Sequence, residues 1–181
     1  MANHTKIVPF FIKWEGGKSS DTKDSASSYT CGVDGIHTNK GVTYKAWVGV
    51  FGNENVDRFL EMSDKDWGLI FKSKYWDAVK GDEIKFQSIA DCLVSWAWGS
   101  GARTAIKEIQ RELGLVVDGI IGKNTIGAIN SSNEDDLFRR CIERRERFFR
   151  LISQRKPSNM RFLRGWLNRL ADFKRKFKPN V

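Results

Sequence analysis

The chain has 181 residues, 40% of them hydrophobic, with 7 Trp and 12 Phe; that is enough apolar mass for a buried core, in one domain or two small ones, and it excludes a disordered polymer. A formal net charge of +9 predicts attraction to polyanions, and its sign alone does not choose among nucleic acid, acidic membrane surfaces and cell-wall polymers. No run reaches the roughly 20 apolar residues that cross a bilayer, which argues against stable membrane insertion, and Cys31, Cys92 and Cys141 are an odd set at wide spacing, unlike a disulfide framework or a Cys-x-x-Cys zinc site.

Ile7, Phe10, Phe11 and Trp14 recur at helical spacing and predict a first helix. Gly16 and Gly17 follow, residues able to take the left-handed conformation that closes a helix. Glu15 is thus left at a helix C-terminus, where the macrodipole and a neighbouring Trp14 both disfavour the ionised carboxylate; a general acid needs such an environment, although an exposed Glu beside a glycine stop reads the same way locally. The Ile7–Ile12 run is too short for the apolar core of an export signal and has no small-residue cleavage site after it. The expectation is synthesis in the cytoplasm without a signal peptide.

Residues 18–40 are polar and irregular, a long loop that implies a task. Asp21, Asp24 and Asp34 lie in it, either as partners for Glu15 or as solvated turn aspartates. A short alternation from Thr38 predicts a small β wing, with a helix starting near Thr43 and ended by Gly49 and Gly52. Ser63-Asp64-Lys65-Asp66 caps another helix, whose apolar spacing runs through Trp76. Residues 86–98 leave almost no polar face, so this helix is expected to be buried all round, with Asp91 inside it as an anchor or a site member. After Gly99-Ser100-Gly101 come an amphipathic helix to Gly114, a turn at 118–122, a short helix capped by Asn124 or Thr125, a long helix after Ser131 and Ser132, and a basic last helix with Met160, Leu163, Trp166, Leu170, Phe173 and Phe177 inward. Six or seven helices, one wing and no βαβ alternation predict a mainly α, lysozyme-like helical globule. His4 and His37 are the only histidines; a triad through His37 or a zinc site is a weak reading, and neither metal nor cofactor is expected. Arg and Lys are dispersed over two helices whose apolar stripes are needed for packing, with no nucleic-acid reader motif.

Several motifs stand in one order: Trp14-Glu15-Gly16-Gly17, Thr38-Asn39-Lys40-Gly41-Val42-Thr43, Lys74-Tyr75-Trp76, and Asp91 through Gly101. Together they resemble glycoside hydrolase family 108, whose members are phage endolysin-type N-acetylmuramidases and bacterial relatives labelled secretion activators. From Gln110 onward, Gln110-Arg111-Glu112-Leu113-Gly114, residues 118–125 and Gly165-Trp166-Leu167-Asn168-Arg169 are similar to the companion region described as a predicted peptidoglycan-binding domain. The resemblance implies a catalytic half over 1–100 and a peptidoglycan-binding-like half over 101–181. It implies Glu15 as the acid cleaving the glycan strand of peptidoglycan, with Asp24 as second carboxylate and Thr38, Asn39 and Thr43 beside the substrate. Here 25–37 is an insertion relative to the family, and the Glu15, Asp24, Thr30 spacing also matches phage-type lysozymes, so Thr30 and Thr38 compete for one role. Tyr44, Trp47 and one of Trp96 or Trp98 are candidates for stacking on sugars. A carboxyl separation of about 5 Å would give retention and about 6.5 to 9.5 Å inversion. Peptidoglycan and, by charge, anionic wall polymers are the expected partners, reached at the wall or periplasm through a holin or another export route. The alternative is a non-catalytic peptidoglycan-binding or secretion-assisting protein.

Overall fold

The computed structural model describes residues 1–52 and 55–179. It divides into two compact units, Val8–Lys74 and Met1–Ile7 with Tyr75–Val181. The fold is mainly α with a two-stranded wing, the class the sequence predicts.

In the smaller unit, α1 (Val8–Trp14) buries Phe10 and Phe11. The wing pairs β1 (Thr38–Asn39) antiparallel with β2 (Val42–Thr43) through a tight turn at Lys40 and Gly41. Thr43 then caps α2 (Tyr44–Phe51), its hydroxyl accepting from Ala46 N, and Gly52 at φ 76° ends it. Gly49 lies inside α2 and stops nothing. A short α3 (Val56–Leu60), not foreseen from the sequence, precedes α4 (Asp64–Ile70), which has the expected Ser63 cap. The Arg58 guanidinium and the Ser63 hydroxyl hold the Asp66 carboxylate below its usual range. Phe11, Trp67 and Phe71 form the aromatic floor, with Trp67 and Phe71 stacked at 5.1 Å. The helix predicted through Trp76 is α-helical only to Ile70 and continues as a π-helical stretch over Phe71–Trp76.

In the larger unit α5 (Gln87–Ser100) is the hub: every residue from Ser88 to Ala97 is buried. It packs on α6 (Ala102–Glu112) and on α8 (Glu134–Arg155), which packs in turn on α9 (Met160–Phe177). One predicted cap is corrected. The short α7 (Lys123–Ser131) starts after Gly122 with no side-chain cap, because Thr125 faces inward to Gln110 Nε2. The long α8 begins after Ser131 and Ser132 as expected, capped by Asn133, whose Oδ1 accepts from Asp136 N. Met160, expected in the last apolar stripe, is 54% exposed at the start of α9. Cys92 on α5 and Cys141 on α8 are free thiols that meet as hydrogen-bond partners, a pairing invisible in their spacing.

Asp91 is 1% exposed. Its Oδ1 accepts from Gln87 Nε2 at 2.9 Å, and Gln87 exchanges two further hydrogen bonds with the Asn3 backbone. It therefore anchors the N-terminal segment to α5. Burial raises the Asp91 carboxyl to about 7, against the opposing pull of Gln87 and Lys6.

Candidate active site

Glu15 directly follows α1, and its N–H closes the last turn on Phe11 O at 2.9 Å. Trp14 and Glu15 are both half-buried. Neither Gly16 nor Gly17 has a positive φ, so the helix is not closed by a left-handed glycine; the chain leaves α1 toward the wing, where Ser19 bridges to Thr38. A Cβ on either glycine would meet nothing within 4 Å. Neither backbone angle nor internal packing demands glycine there, and both residues are exposed.

The wing turn sits directly against that carboxyl. Gly41 has φ +75°, and a Cβ added to it would overlap Cγ, Cδ and Oε2 of Glu15. Three contacts fasten the turn in place. Asn39, 4% exposed, donates through Nδ2 to Phe59 O at 2.7 Å and Leu60 O at 3.1 Å. Lys40 Nζ donates to Met62 O at 2.8 Å, and Trp67 Nε1 donates to Lys40 O at 3.1 Å. Trp67 also lies against Phe11 of α1. One indole thus supports both the helix that carries Glu15 and the turn that Glu15 touches, which keeps the carboxyl in one place before any ligand arrives.

The aspartates behave as turn residues. Asp21 Oδ1 accepts from Lys23 N and Asp24 Oδ1 from Ala26 N, each at 2.9 Å, and Asp24 caps a 3₁₀ turn over Ser25–Ser28. Asp34 is exposed at φ 47°. The Thr30 hydroxyl accepts from Gly32 N in an exposed turn, whereas Thr38 is half-buried on β1, three residues from Gly41. Tyr44 (5% exposed) and Trp47 (0%) lie in the core of their unit against Phe59, so both rings are filled by protein contacts rather than presented as sugar platforms. Trp96 is likewise buried, while Trp98, half-buried in the other unit, packs on Tyr75 at 4.5 Å. His37 pairs with the Thr38 hydroxyl and the Asp21 carbonyl, not with the serine or cysteine nucleophile that a triad needs. Among the described residues no group of three His, Cys, Asp or Glu is placed to hold a metal ion. None of their helices is long and apolar enough to cross a membrane.

The site is thus a half-buried carboxyl at a helix end, fixed against a β turn. The profile of the family described as Glycosyl hydrolase 108 matches residues 8–101. The chain belongs to this family. A second profile, described as Predicted Peptidoglycan domain, matches residues 104–171 of this family 108 protein. The structure of Brucella abortus SagA is similar in fold, with a TM-score of 0.79 and 22% identity over 98% of this chain and 96% of that one. No functionally curated protein matches the chain. The two profiles together give this family 108 protein a peptidoglycan-related function, with peptidoglycan as its partner. They meet near residue 102, whereas the compact units divide between Lys74 and Tyr75. The matched boundary therefore falls where α5 gives way to α6, inside the larger unit.

Proposed function

We propose that this family 108 protein is an N-acetylmuramidase that hydrolyses the glycan strand of peptidoglycan, with Glu15 as its general acid. The observation that carries the reading is the placement of Glu15 against Gly41, which holds a half-buried carboxyl against the turn of the hairpin whose first strand carries Thr38. Glu15 donates its proton to the glycosidic oxygen as positive charge develops on the sugar ring. Asp24 stabilises that charge or takes the proton of the attacking water, and Thr38 and Thr43 face the substrate from the wing. The catalytic function resides in 1–100. The wall-binding function resides in 101–181, where a groove of about 650 Å³ gathers Arg111, Arg144, Arg147, Arg150 and Arg155 with Glu108; Glu108, Glu112 and Glu146 pair with the first four of these arginines, and the excess of positive charge attracts anionic wall polymers. Action at the wall or periplasm follows from that partner.

The test is mass spectrometry of fragments released from purified peptidoglycan. Muropeptides with N-acetylmuramic acid as the new reducing sugar support the reading. N-acetylglucosamine at that end makes the protein a glucosaminidase. Sedimentation with the wall and no release of fragments makes it a binding module.

A substitution in the wing probes the wall of the site. Gly41→Ala introduces a Cβ into the Glu15 carboxyl and places a side chain in a left-handed backbone that costs about 1 kcal/mol. The expected outcome is roughly a tenfold or greater loss of fragment release, because small displacements of a catalytic group are costly. A drop in Tm of roughly 2–6 °C should accompany it. Unchanged release would show that the wing does not hold Glu15 in its working position.

A further inference from the structure

His37 lies at the end of the polar loop that leads into β1, and no solvent reaches it. Each of its polar atoms has a partner. The backbone N–H donates to Ser19 O at 3.0 Å and the carbonyl accepts from Tyr44 N at 2.7 Å. In the ring, Nε2 lies 3.3 Å from Asp21 O and Nδ1 lies 2.8 Å from Thr38 Oγ1. A backbone carbonyl only accepts, so Nε2 must carry the proton. In the neutral ring Nδ1 is then a lone pair, and the Thr38 hydroxyl must donate to it. The hydroxyl proton of Thr38 is therefore turned inward, and what it offers the wing surface is acceptor lone pairs alone.

That polarity matters for hydrolysis. A freely rotating hydroxyl can donate into the lone pair of a neighbouring water, which is the pair a nucleophile needs. An acceptor-only hydroxyl takes one of the water's protons and leaves the oxygen free. We propose that His37 is a positioning residue that fixes Thr38 as the acceptor orienting the attacking water. This inference rests on the muramidase reading above. In the step it serves, the water oxygen bonds to the anomeric carbon as the glycosidic C–O bond breaks. Glu15 gives its proton to the leaving oxygen, and the surplus proton of the water passes to the Asp24 carboxylate. His37 and Thr38 end the step with the protons they began with.

Two amide substitutions separate the two ring nitrogens. Asparagine places an acceptor where Nδ1 was, keeping the Thr38 bond and losing the Asp21 bond. Glutamine places a donor where Nε2 was, keeping Asp21 and losing the acceptor for Thr38. On a soluble peptidoglycan fragment, His37→Asn should retain kcat within about threefold, and His37→Gln should lose roughly tenfold in kcat with little change in KM. Thr38→Val should lose a similar factor, and His37→Gln combined with Thr38→Val no more than Thr38→Val alone, because the two residues act as one unit. A merely structural histidine predicts the opposite pattern: both amides impaired in step with their melting temperatures, and additive losses in the double variant. Imidazole ¹⁵N shifts should show Nε2 protonated and Nδ1 bare in the wild type. A proton on Nδ1, equal losses for Asn and Gln, or an effect carried by KM overturns the proposal. These failures are distinct from that of the muramidase reading: a wild type that releases no muropeptides removes both, whereas an active wild type silenced by Glu15→Gln and indifferent to His37 removes only this inference.

Discussion

Glu15→Gln is expected to turn over peptidoglycan at no more than about one hundredth of the wild-type rate, while melting within about 2 °C of it. The amide has the carboxyl's shape, so it can occupy the same space against Gly41 and leave the clamp formed by Asn39, Lys40 and Trp67 undisturbed. What it lacks is a proton to transfer to the leaving oxygen. A general acid typically contributes a hundredfold to ten-thousandfold, so the lower end of that range already separates catalysis from binding. The companion measurement is sedimentation with intact peptidoglycan, which should be unchanged because the arginine-rich groove lined by Arg111, Arg144, Arg147, Arg150 and Arg155 is untouched. A variant that clears peptidoglycan as fast as the wild type would remove Glu15 from the mechanism and leave a family 108 fold whose chemistry lies elsewhere. If the loss is accompanied by a fall in Tm of many degrees, the role of Glu15 at the end of α1 is structural.

Local patterns were the legible part of the sequence. The apolar stripe of α1, the Ser63 cap, the all-round burial of α5 and the stop at Gly114 follow from spacing and capping chemistry, which act within a few residues. The Glu15 motif was legible too, and so was the wing. Partners brought together by the fold were not. Nothing near Asn39 in the chain says that its amide will hold the carbonyls of Phe59 and Leu60, so a residue expected at the substrate is instead a clamp. Trp47 illustrates the general difficulty with aromatic residues: the same indole suits a sugar platform or a core, and only the arrival of Phe51 and Phe59 against it decides. Arg145 is the clearest omission. It projects from the same helix as the solvated arginines of α8, yet it is 4% exposed and donates to Ser95 Oγ and O. Its position on the inward stripe, four residues after Cys141 and four before Phe149, was the available signal. Burial draws its guanidinium down to about 10.

The expected pH dependence of stability turns on Asp91. Its carboxyl titrates at about 7 when folded and at about 3.9 when unfolded. Between those values the folded chain holds a proton that the unfolded chain has released, so stability falls as pH rises. The contribution is fully present below about pH 4 and lost by the time pH has risen through 7, at about 1.4 kcal/mol for each pH unit, which totals about 4 kcal/mol across the window. Asp91→Asn removes the titration and keeps an oxygen to accept from Gln87 Nε2. Near pH 4 the variant and wild type should melt together, since the amide replaces a neutral acid. At pH 8 the variant should be the more stable by about 3–4 kcal/mol, equivalent to roughly 2–4 °C in Tm for each kcal/mol. Calorimetric melts from pH 4 to 8 decide it: relative to each other, the wild-type curve should descend and the curve of the amide variant should stay level. Parallel curves would mean that Asp91 is ionised throughout, with Lys6 and Gln87 compensating its burial. The same series separates anchor from catalyst, because an anchor alters Tm and protection of the residues 1–7 segment tied through Asn3 and Gln87, and leaves fragment release per folded molecule unchanged.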